Sequence, residues 1–322
     1  MSSQEQLESF QRCLQGARKI LCIVGAGLSA SSGLTTFQAA NGEWRGHSAL
    51  ELATPEAFRE NPELVWVFYS ARRYTAMKAR PNDAHFALAE LCRRVAADER
   101  REILLVTQNV DGLHWRAGQP EALTVELHGS VFDYRCTEFL CNYKGRNVRD
   151  HFLTAALRKH TPREPPQPVA SCCQPAKKRA RCACEDTREN GLALQFGGLE
   201  GDLPRCPRCR VGLLRPGVVW CGESLSLVQM DRVDAFLSAK QKVDLVLVIG
   251  TSGRVWPAMG YVERAQLCGS RIALFNTEIE DAASISKNKK MWAFQGNAAE
   301  TLPHALEPVI GRHYKPRSWS QA

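Results

Sequence analysis

The chain has 322 residues, 44% of them hydrophobic and 24% charged, with a formal net charge of +8. That length holds one large domain and a smaller one, and the composition is that of an ordinary globular chain. No apolar run reaches the length of a membrane-spanning helix, so no membrane partner is expected. The first ten residues contain Glu5 and Glu8 and no basic side chain, resembling neither a secretory signal nor an Arg-rich transit peptide. A cytoplasmic or nuclear location is therefore expected.

In chain order, Leu7, Phe10, Cys13 and Leu14 recur at helical spacing and predict an amphipathic N-terminal helix. Residues 19–24 read as a buried strand running into Gly25-Ala26-Gly27. Thr54 is placed to cap a helix with Pro55 at its first position, and further helices are expected over 62–78 and 83–97. Strands follow at 103–106 and 123–127, with a short helix near Asp111 between them. Later strands are expected at 217–220, 244–249 and 271–275, and helices at 226–239 and 257–267. This alternation predicts an α/β fold with a doubly wound parallel (Rossmann-like) sheet.

Residues 135–215 break the pattern. Pro162, Pro165, Pro166 and Pro168 precede Cys172, Cys173 and the basic run Lys177-Lys178-Arg179-Ala180-Arg181, then a Gly-rich stretch. The expected organisation is a dinucleotide-binding domain from 1–48, 98–131 and 214–322, with a helical module at 49–97. A metal module at 132–213 carries a disordered insertion at about 158–202. The basic run fits nuclear import or nucleic-acid contact, although a solvated charge run is the commoner meaning of such a segment.

The densest chemistry lies at Thr107-Gln108-Asn109-Val110-Asp111, directly after the apolar run 103–106, with His128-Gly129-Ser130 soon after. Ligands of open α/β sheets collect beyond the carboxyl ends of the strands. Polar side chains there are costly unless they bind something, and His128 offers a base that titrates near neutral pH. Gly25-Ala26-Gly27-Leu28-Ser29-Ala30 fits G-x-G-x-x-G/A, whose glycines allow a pyrophosphate close to the backbone, with Ser29 adding a hydroxyl donor. A tight turn without ligand is the alternative, and the strand before the loop favours binding over it.

The thirteen cysteines read as thiols or metal ligands. Cys136-x4-Cys141 and Cys206-x2-Cys209 have chelating spacing, and four thiolates suit a closed structural Zn2+ site. Cys172, Cys173, Cys182 and Cys184 are read as loop thiols.

Taken in order, Gly25-Ala26-Gly27-x-Ser29, Thr107-Gln108-Asn109-x-Asp111, His128-Gly129, the paired cysteines, Gly250-Thr251-Ser252 and Phe275-Asn276 resemble the sirtuins, NAD-dependent protein lysine deacylases. The resemblance runs from about Ile20 to Pro303, the insertion excepted. It implies a cleft between a Rossmann-type domain and a zinc module. Gly25 through Trp44, including Ala26, Phe37 and Gln38, would form the NAD-binding segment and cofactor loop. Gln108, Asn109, Val110 and Asp111 would hold the nicotinamide and its ribose. Gly250, Thr251, Ser252, Asn276, Thr277, Glu278 and Asn297 would meet the adenosine side. Val218, Val219, Trp220, Gly222 and Glu223 would wall the acyl-lysine channel.

The implied chemistry starts as the acyl carbonyl oxygen displaces nicotinamide from the ribose. His128, as general base, then helps a ribose hydroxyl attack the imidate so formed, and water releases lysine and O-acyl-ADP-ribose. Acyl-lysine proteins would be the substrates, the resemblance adds a mitochondrial location as the alternative to a cytoplasmic or nuclear one, and a monomer is expected.

Tyr69 and Arg72 lie three apart on a predicted helix and so share a face. With Ala53 upstream they resemble the sirtuin branch that removes succinyl, malonyl and glutaryl groups. A guanidinium fork beside a phenol suits a buried carboxylate, and the small Ala53 leaves room for it. A solvated helix face near Arg73 and Lys78 is the alternative. Three positions depart from the family pattern: Gln38 where Arg is usual, Thr35 for Pro, and Cys221 for Phe beside the channel. Two rival functions follow, an NAD-binding scaffold with little catalysis and a protein mono-ADP-ribosyltransferase.

Overall fold

In a computed structural model of the chain, the structure describes residues 3–36, 43–161, 202–253, 255–280, 282–285, 288, 290–311 and 314. Phe37, Gln38, the basic run at 177–181 and Cys172, Cys173, Cys182 and Cys184 lie outside the described residues.

The N-terminal helix α1 (Ser3–Gly16) leads into strand β1 (Lys19–Val24), the one-turn helix α2 (Gly27–Ala30) and the short pair β2 (Glu43–Trp44) and β3 (His47–Ser48). Four helices follow: α3 (Ala49–Leu52), α4 (Pro55–Glu60), α5 (Pro62–Lys78) and α6 (Asp83–Ala96). The Thr54 hydroxyl accepts from the Ala57 amide at 3.1 Å, and Asn61 does the same for Leu64 at 2.9 Å, so both prolines occupy a first turn whose amides need no helical partner.

Beyond them run β4 (Glu102–Thr107), α7 (Leu113–Arg116), β5 (Thr124–Glu126), β6 (Gly129–Cys136), β7 (Lys144–Arg146), α8 (Ala155–His160) and β8 (Leu214–Val218). The chain closes with α9 (Leu227–Ser238), β9 (Leu245–Ile249), α10 (Ala258–Leu267), β10 (Arg271–Asn276), α11 (Ala282–Ile285), β11 (Met291–Gln295) and α12 (Ala298–Ile310).

The large sheet has the order β11-β10-β9-β1-β4-β5, all pairs parallel. Its strands are buried on both faces, and side chains alternate between two cores. Ile20, Cys22 and Val24 of β1 join Leu245, Leu247 and Ile249 of β9 under α1, α6 and α12. Leu21 and Ile23 join Val246 and Val248 on the other face, under α9 and α10. From β1 the order runs to β4 and β5 on one side and to β9 on the other, so the switch point falls between β1 and β9.

A second, three-stranded antiparallel sheet has the order β7-β6-β8. The segment expected at 217–220 as a strand of the parallel sheet is therefore corrected: its strand is β8, and it pairs with β6. Its apolar run reads like that of a parallel strand, and only the long-range pairing with β6 distinguishes the two.

Helices α3, α4 and α5 share a core with this small sheet through Leu52, Phe58, Val65, Phe68, Val131, Leu214 and Val218, and the Trp66 indole donates to the Leu214 carbonyl at 2.8 Å. Helix α6, grouped by sequence with 49–97, instead packs Leu88, Leu91 and Val95 on the parallel sheet. Residues 158–160, placed by sequence at the start of the insertion, complete α8. The Ala156 amide donates to Asp202 at 2.8 Å, so the described chain on either side of 162–201 meets at one place. Among the described residues no helix is long and apolar enough to cross a membrane.

Candidate active site and metal centre

The loops after β1 and β9 meet at the switch point. A Cβ on Gly25 would lie 2.6 Å from the Gly250 carbonyl oxygen, and one on Gly27 would lie 2.8 Å from the Gly250 Cα. These glycines are thus required by loop-on-loop packing within the chain. Gly27 donates to the Gly250 carbonyl at 2.8 Å, and Asn276, ending β10, donates through its amide nitrogen to the Thr251 carbonyl at 3.2 Å. Asn297 caps α12 by accepting from Ala299 and also receives the Ser31 hydroxyl at 2.5 Å, which ties α12 to the end of α2. Ser252, Thr277 and Glu278 stand exposed on the same rim. The residues predicted for the adenosine side come together there.

The end of β4 supplies the floor. Asn109 is buried, and its amide donates to the Ser29 hydroxyl at 3.2 Å. Ser29 gives its single proton to Asp111 at 2.7 Å. A third partner, His85 of α6, escaped the sequence reading. Its Nδ1 accepts from the Asn82 amide in a capping box, which leaves the proton on Nε2, 3.4 Å from the Ser29 oxygen. Burial pushes the His85 pKa down to about 4, so the ring stays neutral. Ser29 therefore has its donor and both acceptor sites filled within the chain. Through these bonds it braces Asp111 against the glycine loop. By contrast the side-chain amide nitrogen of Gln108 is buried with no hydrogen-bond partner among the described residues. A buried donor of that kind calls for a ligand, and with the switch-point loops it fits the predicted dinucleotide.

His128 follows β5. Its Nδ1 lies 3.0 Å from the Gln108 carbonyl, an acceptor only, so Nδ1 carries the proton and Nε2 presents a lone pair. Nε2 has no hydrogen bond among the described residues. Burial lowers the His128 pKa, and the bond to Gln108 opposes this in part. The His128 carbonyl accepts from the Val219 amide at 2.9 Å, which places the base between the β4 floor and the end of β8.

Beyond β8, the Cys221 amide donates to the Ala53 carbonyl at 2.9 Å. Ala53 and Tyr69 are buried, and Val110 and Trp44 pack at the edge of the same core, with the Trp44 ring 5.2 Å edge-on from Phe68. Arg72 lies with its guanidinium carbon 4.8 Å from the Phe68 ring centre, and burial lowers its pKa while Tyr69 opposes the shift. The rival reading of a solvated helix face fails at Arg73, which is 2% exposed and donates to the backbone carbonyls of Val131, Asn147 and Asp150.

Val218 and Trp220 are buried, whereas Gly222 and Cys221 are exposed. Glu223, predicted as channel wall, has its carboxylate taken up by Arg215, Arg135 and the Trp220 amide.

Cys136, Cys141, Cys206 and Cys209 bring their sulfurs within 4.8 Å of one another. Cys136–Cys209 and Cys141–Cys206 stand at 3.6 and 3.7 Å, too far for disulfides. A tetrahedron of thiolates around zinc has edges of about 3.8 Å. The amides of Glu138 and Gly212 each point at a cysteine sulfur at 3.4 Å, as suits thiolates in two chelating knuckles. One structural zinc fits this donor set. Cys206→Ser is expected to leave protein that purifies without its zinc and melts roughly 5–10 °C lower, read by metal analysis and calorimetry.

A doubly wound sheet with its polar floor at the switch point is thus joined to a four-cysteine module whose donor set fits a structural metal. The Sir2 family model matches residues 25–257. An NAD-dependent protein deacylase of Candida albicans is 46% identical over 95% of this chain and 99% of its own length. The mitochondrial NAD-dependent protein deacylase sirtuin-5 of Canis lupus familiaris is 37% identical over 94% of this chain and 85% of its own. A solved Sir2 homolog–NAD complex superposes with a TM-score of 0.67 at 28% identity, covering 96% of this chain and 94% of the other. The chain belongs to the Sir2 family.

Proposed function

We propose that this chain removes acidic acyl groups (succinyl, malonyl or glutaryl, and acetyl more weakly) from protein lysines. As a Sir2 enzyme it is an NAD-dependent protein lysine deacylase, and NAD supplies a ribose carbon activated by its nicotinamide leaving group. The observation that carries the reading is His128, a neutral base with its Nε2 unbonded, fixed between Gln108 and Val219. In this reading the Gln108 amide, Asn109 and Asp111 hold the nicotinamide end. The loops at Gly25 and Gly250, with Asn276, hold the rest of the dinucleotide. His128 takes a ribose hydroxyl proton, and Tyr69 and Arg72 bind the acyl carboxylate beside Ala53.

Support for the acidic acyl group comes from the burial of Tyr69 and the desolvated Arg72 three residues on, and from the sirtuin-5 relatives. The names of those relatives, from dog and zebrafish, also favour a mitochondrial location.

Nicotinamide release tests the reading. It is expected only when NAD and an acyl-lysine peptide are both present. Absence of release with every acyl peptide would support the scaffold alternative, and release without any acyl peptide would support ADP-ribosyl transfer.

A further inference from the structure

We propose that Trp220, locked by Arg215 and Glu223, is a positioning residue that sets acyl specificity by orienting the Tyr69 hydroxyl. The inference rests on the acyl-pocket reading above and adds what aims the phenol. An indole nitrogen can only donate, and the Trp220 Nε1 lies 2.9 Å from the Tyr69 oxygen. Tyr69 must therefore accept there, and its own proton has to leave in another direction. Among the described residues no acceptor receives that proton. Burial raises the Tyr69 pKa above its ordinary value, so the proton is retained through the neutral range. A fixed phenol donor beside the Arg72 guanidinium recognises an acyl chain ending in a carboxylate and offers nothing to an acetyl methyl group.

The indole is held by Arg215, Phe58 and Glu223. The Arg215 guanidinium carbon sits 3.3 Å from the Trp220 ring centre, a stacked arrangement. The Phe58 ring packs 5.4 Å from the indole, and the Trp220 backbone amide donates to Glu223 Oε2 at 2.9 Å. Glu223 is itself pinned by Arg215 Nη2 at 3.0 Å and Arg135 Nη2 at 2.9 Å. A channel wall needs only an apolar ring. A buried indole whose nitrogen meets the phenol, backed by a three-residue ion-pair cluster, is built for direction.

The test is a double-mutant cycle on the full chain with succinyl- and acetyl-lysine peptides of one sequence. Trp220→Phe keeps a ring and removes the N–H. It is expected to lower the succinyl-to-acetyl ratio of kcat/KM about five- to tenfold, chiefly through the succinyl KM, as loss of one oriented hydrogen bond would. In a Tyr69→Phe background the same substitution is expected to leave the ratio where Tyr69→Phe put it.

Equal losses on both peptides, or an undiminished ratio change in the Tyr69→Phe background, would overturn the proposal. A ratio unmoved by Tyr69→Phe itself would instead remove the acyl-pocket reading, and the proposal with it. Should Trp220→Phe fail to fold, Glu223→Gln, which loosens the Arg215 and Trp220 contacts, is put through the same cycle. It must then lower the ratio when Tyr69 is present and leave it unmoved in the Tyr69→Phe background; persistence of the full change there overturns the proposal.

Discussion

Replacing His128 by Ala is expected to lower kcat/KM for deacylation by about 10²- to 10⁴-fold, the range a positioned general base supplies. The geometry leaves little choice of group. Nδ1 is committed to the Gln108 carbonyl, so Nε2 is the basic atom. Two further rings stand near the floor: His85 has Nδ1 occupied by Asn82 and faces Ser29 with its protonated nitrogen, and the buried His114 turns Nε2 towards Glu126 at 3.4 Å.

The pH profile carries the same signature. Burial holds the His128 pKa below its ordinary 6.5, and the base works only when neutral. Activity should therefore persist as pH falls to 6.5 and be lost below it, as Nε2 takes up a proton. An acid limb centred above pH 6.5, or a loss under threefold in His128→Ala, would assign the proton to another group.

Arg72→Met should cost desuccinylation about 10²- to 10³-fold in kcat/KM, with a far smaller effect on deacetylation. Truncating one member of a desolvated, hydrogen-bonded charge pair typically removes about 3–5 kcal/mol, because the surviving charge stays buried without its partner. Here the survivor is the acyl carboxylate. An acetyl group brings no charge into the pocket and gains nothing from the cation. The succinyl-to-acetyl ratio of Arg72→Met against that of the unsubstituted chain, measured on one peptide sequence, separates this from general damage to α5. An unchanged ratio would mean that Arg72 serves the fold rather than the acyl group.

Much of this was legible in the chain itself because its signals are local. Residues 19–24, 244–249 and 271–275 are apolar runs buried on both faces, and they form β1, β9 and β10 within a residue. The Thr54-Pro55 and Asn61-Pro62 pairs mark helix starts through first-turn chemistry that involves neighbours only. The cysteine pairs announced a metal by their spacing, and their sulfurs converge.

What stayed hidden depends on distant partners. The membership of β8 in the small sheet is decided by β6, some eighty residues away. Helix α12 carries Pro303 and Pro308, which break the ordinary helical signature, yet Leu302, Ala305, Leu306 and Ile310 bury one face of it. His85 looks like any helical histidine; only the Asn82-x-x-His85 spacing hinted at a cap, and nothing local tied it to Ser29. Nothing near Glu223 in sequence announces its ion pairs with Arg135 and Arg215, which β6 and β8 bring in. The donation of the Trp220 indole to Tyr69 is likewise a long-range contact that no local signal announces.

The central claim is that a Sir2 enzyme with this floor and pocket acts on lysines bearing acidic acyl groups. One measurement bears on it most directly: kcat/KM of the whole, zinc-loaded chain on acetyl-, malonyl-, succinyl- and glutaryl-lysine forms of one peptide, with and without NAD. Turnover that requires NAD and is faster on the acidic groups than on acetyl is the predicted result. Faster removal of acetyl than of any acidic group would contradict it.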